Sequence, residues 1–324
     1  MTTVPEINVT PACSSAGNEA VMTVVMPVYN RAERVKATLS CLEKQTLRPL
    51  EIILVDNNST DGTLDALNAW KRRVETPSFR VKVLEERQPG AAAARNKGLM
   101  EVVTPVTMFF DSDDLMAATH CQRVAEGFKE HRDVDVIGWD CSTSKGSVMP
   151  FCVKDAFWEN VHHSTMSTQR YAAKTDLFRK AGGWNPKCLG WNDVELGTRL
   201  LNLFPQIVKL SGERTVEVVR TADSITGENF SNKSDIWEFS LDRMEDTVRN
   251  GDMALRRYIN LRRAILSGDY RLEGRADLSR KLLKIVQDKE PAWGYRMLNR
   301  FAVMYRSLGL RGVARLLRPF YKRY

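Results

Sequence analysis

Apolar positions in the first 140 residues come in two alternating rhythms. Short unbroken runs at 21–28 (VMTVVMPV), 51–55, 80–84, 106–110 and 134–139 are rich in β-branched and aliphatic residues. They predict strands buried on both faces of a parallel sheet. Between them apolar residues recur at helical spacing: Val35, Leu39 and Leu42 up to about Gln45, then Leu64, Leu67 and Trp70 up to about Arg73, then an Ala-rich stretch over 90–102. Strands alternating with helices of about ten to fifteen residues imply βαβ units and a mostly parallel sheet. Ligands of such sheets bind beyond the carboxyl ends of the strands. The polar clusters lie at those ends: Asn30 after the first strand, Asp56 after the second, Asp111 and Asp113 after the fourth.

Past the fifth strand the pattern loosens. A Gly/Pro loop, Gly182-Gly183-Trp184-Asn185-Pro186, leads to a helix predicted from Trp191-Asn192-Asp193-Val194-Glu195-Leu196 to about Phe204. Asp193 and Glu195 fall in its first turn, where a carboxylate either simply favours the positive helix end or is presented as a base. Trp184 and Trp191 would offer apolar faces on which a sugar ring stacks. From about residue 236 the chain reads as charged helices near 235–249, 252–266 and 275–288. The tail 291–324 then sets Leu298, Phe301, Tyr305, Leu308, Val313, Leu316, Leu317 and Phe320 among arginines. The expected organisation is a disordered leader over 1–20, an α/β domain over 21–230 and a helical region over 231–324.

The segment Phe109-Phe110-Asp111-Ser112-Asp113-Asp114 gathers three carboxylates within four residues. Mutual repulsion makes such a group costly near a core, and a hard divalent cation relieves it while bridging to phosphate. The plain alternative is an acidic turn in which Asp114 caps a helix starting near Leu115. Polar clusters at several strand ends of one sheet favour a site.

Charge and composition narrow the function. No apolar run reaches the length of a membrane span, and the six cysteines are scattered without metal-ligand spacing, which suits a reducing compartment such as the cytoplasm. The net charge of +8 resides entirely in 291–324, which has eight basic residues and no acid, against 40 basic and 40 acidic residues elsewhere. A neutral body argues against a nucleic-acid partner. The basic, amphipathic tail suits either an anionic membrane surface, placing the protein peripherally on the inner face of the cell membrane, or a packed helix with a solvated basic face.

Five ordered pieces together resemble the family 2 glycosyltransferases of GT-A fold: PVYNR (27–31), VDNNSTDGT (55–63), GAAAARNKG (90–98), FFDSDD (109–114) and GWNDVELGTRL (190–200). The resemblance covers about 21–230. It implies that Pro27, Tyr29 and Asn30 line a nucleotide pocket and that Asp56 accepts a pyrimidine N–H, favouring uracil. Asp61 and Gly62 would shape the next turn, and Arg95 would approach the donor. Asp111 matches a residue meeting ribose or sugar hydroxyls, Asp113 the ligand of a divalent metal (Mn²⁺ or Mg²⁺), and Asp193 the general base, with Glu195 its rival. The implied reaction moves a hexose or N-acetylhexosamine from a UDP-sugar to a glycan or lipid-linked acceptor, by single displacement with inversion, for a bacterial-type surface polysaccharide.

Two departures stand out. Asn192-Asp193 replaces the usual Glu-Asp, and the late segment Val219-Arg220-Thr221-Ala222-Asp223-Ser224-Ile225 has no histidine for the metal, which leaves Asp113 with diphosphate and water alone, or else Asp223, to hold it. His162-His163 reads as an ordinary loop feature. The alternatives are a catalytically inactive nucleotide- or glycan-binding module and a sugar-nucleotide nucleotidyltransferase. The latter would want a Gly-rich, lysine-bearing loop where PVYNRAERV has no glycine.

Overall fold

A computed structural model describes residues 20–220, 229–249 and 251–321. Its strands are β1 (Met22–Val28), β2 (Leu50–Asp56), β3 (Phe79–Glu85), β4 (Val106–Phe109), β5 (Leu115–Met116), β6 (Val136–Gly138), β7 (Cys141–Thr143), β8 (Val148–Met149), β9 (Tyr171–Lys174), β10 (Ile207–Lys209) and β11 (Val216–Val218). The helices of the same region are α1 (Val35–Glu43), α2 (Thr63–Val74), α3 (Ala91–Glu101), α4 (His120–Glu130), α5 (Ala156–His163), α6 (Thr175–Lys180) and α7 (Asn192–Leu201). Five more follow: α8 (Ser234–Asp246), α9 (Met253–Leu272), α10 (Ala276–Asp288), α11 (Trp293–Ser307) and α12 (Val313–Tyr321).

The main sheet has seven strands in the order β10-β6-β9-β4-β1-β2-β3. β1 and β2 are buried at every position, as their apolar runs require. The β4-β1-β2-β3 block is parallel, so the carboxyl ends of β1, β2 and β4 share one edge. β9 runs antiparallel between β4 and β6, and the other pairs are parallel, so the sheet is mostly parallel as expected. A second sheet, β5-β11-β7-β8, was not legible from the pattern, because its strands are only two or three residues long. Leu115 opens β5, not a helix, and α4 starts at His120. Asp114 therefore caps no helix; its Oδ1 accepts the Val219 N–H at 2.9 Å and ties the acidic loop to the end of β11.

Two apolar clusters flank the main sheet, one under α1 and α2 and one under α3 and α6. A third joins the C-terminal helices to Trp158 and Val161 of α5 and Val194 of α7, so the apolar core runs across residue 230 without a break. Within it Ala302, Val303, Val313 and Leu317 of the tail are buried, and Leu298, Phe301 and Tyr305 are partly so. One side of the tail is thus a packing surface. Cys41, Cys121, Cys141, Cys152 and Cys188 are all free thiols. Among the described residues no helix is long and apolar enough to cross a membrane.

Candidate active site

The edge shared by β1, β2 and β4 opens into a cavity of about 730 Å³ that also receives the start of α7 and residues 218–220. The β1–α1 loop brings Pro27, Tyr29 and Arg31, the loop after β4 brings Asp111, Asp113 and Asp114, and the start of α7 brings Trp191, Asn192 and Asp193. The sequence separates these groups by up to 166 positions (27 to 193); the fold brings them to one cavity.

Asp111 is held from two sides. Arg95 Nη2 and Gln169 Nε2 each donate to one of its carboxylate oxygens at 2.6 Å. Arg95 is almost fully buried and lies over the Trp184 ring at 4.3 Å, while its Nε and Nη1 find no partner among the described residues. A cavity-lining guanidinium whose N–H groups are not all paired fits an anionic or hydroxyl-rich ligand. Asp113 pairs with Arg31 Nη2 at 3.0 Å, yet burial and the neighbouring Asp111 charge push its carboxyl above the usual range. Burial and Asp111 also push Asp114 up, to about 8, and its Oδ2 is buried without a partner among the described residues. Asp193 accepts the Val194 N–H at 2.9 Å, and burial raises its carboxyl despite Arg95 and Arg170 nearby. A raised carboxyl beside a cavity is suited to proton transfer.

The donor set has implications for a metal. Among the described residues no group of three or more His, Cys, Asp or Glu side chains could hold one. Asp111 and Asp113 are about equally accessible, but Asp111 is held by Arg95 and Gln169; Asp114 adds an orphaned oxygen, and Asp223 lies outside the described residues. So few protein oxygens fit a hard cation only when a ligand diphosphate completes its shell.

Of the residues singled out from the sequence, Pro27, Tyr29, Arg95, Asp111, Asp113, Trp191 and Asp193 line this one cavity. Asn30 and Asp61 do not line it, and their side chains hold loops. Asn30 Oδ1 accepts the Thr60 N–H at 2.8 Å, while Asp61 accepts the Ala32 N–H at 3.1 Å and the Thr63 N–H at 3.0 Å. Asp56 is buried behind the wall; its Oδ2 accepts the Ser59 N–H at 3.0 Å and its Oδ1 is unpartnered among the described residues. Trp184 and Glu195 depart from expectation as well. Trp184 offers no face to a sugar, because its ring is buried edge-on against Phe109 and beneath Arg95. Glu195 does not reach the cavity: it is buried in a two-point pair with Arg199, at 2.8 and 2.7 Å. His162 is a core residue stacked on Trp158 at 4.3 Å, and its pair does not reach the cavity either.

Several lining residues were given no role from the sequence. Arg31, Asn192 and Arg220 stood inside segments singled out from the sequence, and Arg31 could have been found from its place at a strand end. Gln169 belongs to no periodic pattern, and only the fold brings it in.

Comparison with known proteins bears on the family and the fold. Residues 23–171 match the family described as "Glycosyl transferase family 2". Glycosyltransferase GlyG of Streptococcus pneumoniae is 28% identical over 165 residues, which cover 50% of this chain and 51% of GlyG. Poly(ribitol-phosphate) beta-N-acetylglucosaminyltransferase TarP of Staphylococcus aureus is 29% identical over 133 residues, 40% of this chain and 39% of TarP. The chain thus spans about half the length of these curated relatives or less. Among solved structures, S. aureus TarS 1–349 in complex with UDP-GlcNAc superposes with a TM-score of 0.63 at 16% identity, covering 89% of this chain and 92% of that one. The mannosyltransferase PcManGT from Pyrobaculum calidifontis, in complex with GDP-Man and Mn²⁺, gives 0.56 at 18%, covering 94% and 88%. The fold is the α/β architecture of these GT-A proteins with helices appended at the C-terminus.

Proposed function

The chain belongs to the family 2 glycosyltransferases through residues 23–171, and on that premise we propose that it transfers a hexose or N-acetylhexosamine from a UDP-sugar to an acceptor hydroxyl with inversion. The observation carrying this reading is the meeting of Asp111, Asp113 and Asp193, from two distant segments, in one cavity beside Arg95 and Arg31. The acceptor, on this reading, is a glycan or lipid-linked saccharide of a bacterial-type surface polysaccharide; the acceptor of TarP, poly(ribitol-phosphate), is of comparable class.

The chain's own groups divide the work as follows. Asp56, one residue behind the cavity lining at Asn57, is on this reading the acceptor of the uracil N–H once the base is seated, since its buried Oδ1 has no partner among the described residues and an unsatisfied buried acceptor is costly until a donor arrives. The Tyr29 ring, exposed at the rim, lies along the base. Arg95 and Gln169 fix Asp111, whose remaining lone pairs accept sugar or ribose hydroxyls. Asp113, with Asp114 behind it, would hold Mn²⁺ or Mg²⁺ together with the donor diphosphate. When bound, the cation neutralises charge on the leaving diphosphate. Arg31, released from Asp113, remains to face a phosphate oxygen. Asp193 takes the proton of the acceptor hydroxyl, and Trp191 supplies the apolar face beside it. With a base on one side and no second nucleophile among these groups, a single displacement follows.

Calorimetric titration of UDP and GDP, each with and without Mn²⁺, on wild type and Asp113→Ala tests the proposal. UDP should bind more tightly than GDP, Mn²⁺ should strengthen it, and Asp113→Ala should remove the metal-dependent part. Binding of neither nucleotide, or binding indifferent to metal and to Asp113, overturns it. Metal-dependent UDP binding with no turnover across a panel of UDP-sugars and saccharide acceptors would leave an inactive binding module instead.

A further inference from the structure

The tail has two sides, and the packed core uses only one of them. α11 and α12 both lie against α9, with Asn299, Ala302 and Val303 of α11 and Val313, Leu317 and Tyr321 of α12 turned inward. Tyr295 and Tyr321 meet at 5.0 Å between ring centroids, and Tyr295 Oη donates to the Phe320 carbonyl at 3.2 Å, so the two helices are fixed side by side.

Their outward sides carry large apolar residues. On α11, Trp293, Met297, Arg300 and Met304 follow at i, i+4, i+7 and i+11, one stripe opposite the buried positions. Trp293 is 75% exposed and Met304 53%. The connection continues with exposed Leu308 and Leu310, and α12 adds Arg315, Leu316 and Phe320, the last 61% exposed. Scattered surface apolar residues need no explanation, but a continuous set that includes Trp and Phe does.

Charge identifies the occupant. Residues 291–324 hold eight basic side chains and no acid. Arg306 is engaged with Asp269, and Arg318 with Asp155 and Glu159. Arg300, Arg311 and Arg315 are exposed and form no salt bridge among the described residues, and each stands within the outward apolar set. We infer that the outward side of α11 and α12 is a docking surface for an anionic lipid bilayer, with Trp293, Met304, Leu308, Leu316 and Phe320 entering the interface and Arg300, Arg311 and Arg315 meeting lipid phosphates. An amphipathic face lying in the plane of the headgroups combines these two elements. An acidic protein or a polyanion would use the arginines but would leave Trp293 and Phe320 in water. The inference stands on the tail alone and does not depend on the donor or the reaction.

The decisive experiment is co-sedimentation of the full chain with vesicles of phosphatidylcholine, alone or mixed equally with phosphatidylglycerol. Deleting the tail is unsuitable, because that would strip the inner side from α9. Two surface variants replace it: Trp293→Ser with Met304→Ser and Phe320→Ser, and Arg300→Gln with Arg311→Gln and Arg315→Gln. All six side chains are exposed, so the thermal midpoint should stay at the wild-type value. Wild type should pellet with the anionic vesicles and much less with the neutral ones, and raised salt should weaken it. Each variant should bind at least about tenfold more weakly. Failure of wild type to pellet with anionic vesicles at low salt overturns the inference. So does unchanged pelleting of the apolar variant, which would leave a purely electrostatic attachment in which Trp293, Met304 and Phe320 do not enter the interface.

Discussion

Asp193 and Glu195 stand two positions apart in the first turn of α7, and their environments are opposite. Successive helical residues are about 100° apart, so a separation of two sends side chains to nearly opposite faces. Asp193 meets the cavity, whereas Glu195 turns into the core, where Arg199 takes both its oxygens and also donates to the carbonyls of Ala181 and Gly183. Glu195 is therefore the brace of the loop that precedes α7. Asp193→Asn should lower turnover by about 10²–10⁴-fold, the usual contribution of a proton acceptor, while nucleotide affinity by calorimetry stays at the wild-type value. Glu195→Ala should instead destabilise the fold by about 3 kcal/mol, read from denaturant unfolding, because it leaves the mostly buried Arg199 guanidinium without its carboxylate. The pH profile separates them further. Burial raises the Asp193 carboxyl, and only its ionised form accepts a proton, so activity falls as pH drops through a value above the ordinary ~4 of an aspartate. The pair itself was legible in the sequence, but the choice between its members needed the phase of the helix.

At the scale of elements, the backbone around Gly190 controls how α7 enters the site. A Cβ at Gly190 would come within 2.4 Å of the Trp237 ring and 2.9 Å of Ile236, so α8 leaves no room for a side chain. Trp237 in turn stacks with Trp191 at 4.9 Å, and Arg262 of α9 lies over Trp191 at 4.5 Å. Gly190→Ala should push the start of α7 away from α8, moving Trp191 and Asp193 together. The expected result is a fall in turnover, with a thermal midpoint lowered by several degrees and UDP binding largely retained, since Asp56 and Asp111 sit on other elements. Equal losses of UDP affinity and turnover would mean that the whole cavity had deformed. The long parallel strands and their helices were legible because their apolar periods run for seven or more residues. β5, β7, β8 and β11 were not, because pairs and triplets of residues carry no period and owe their conformation to partners far along the chain.

At the scale of the molecule, the question is whether the helices after residue 230 form a separate body. Trp158 touches Tyr258 and Tyr321 at ring-centroid distances of 5.0 and 5.8 Å, and Val161 and Val194 share the same apolar cluster, so α5 and α7 belong to both parts. Cutting that contact would expose Trp and Tyr surface on each side, at a cost of order 25 cal/mol for every Å². Thermal unfolding should accordingly proceed as one transition, with far-UV and near-UV signals coincident. Two separated transitions would establish independent units with a boundary near 230.

The sequence alone determined the four strands that become β1, β2, β3 and β4, the strand ends that carry Asp111 and Asp113, and the motifs of the family-matching segment, because those features are local: apolar runs, helical periods and short motifs at fixed spacing. The tertiary structure alone decided which of the motif residues share a cavity. It closed Asn30 and Asp61 into loop-holding hydrogen bonds, sank Trp184 and Glu195 into the core, and brought in Gln169 from an unpatterned segment. It also divided the tail, whose amphipathic pattern is the same whether it meets protein or lipid, into an inner side that α9 occupies and an outer side that it does not. Periodicity records that a face is apolar, and only the positions of the neighbouring elements determine what covers it.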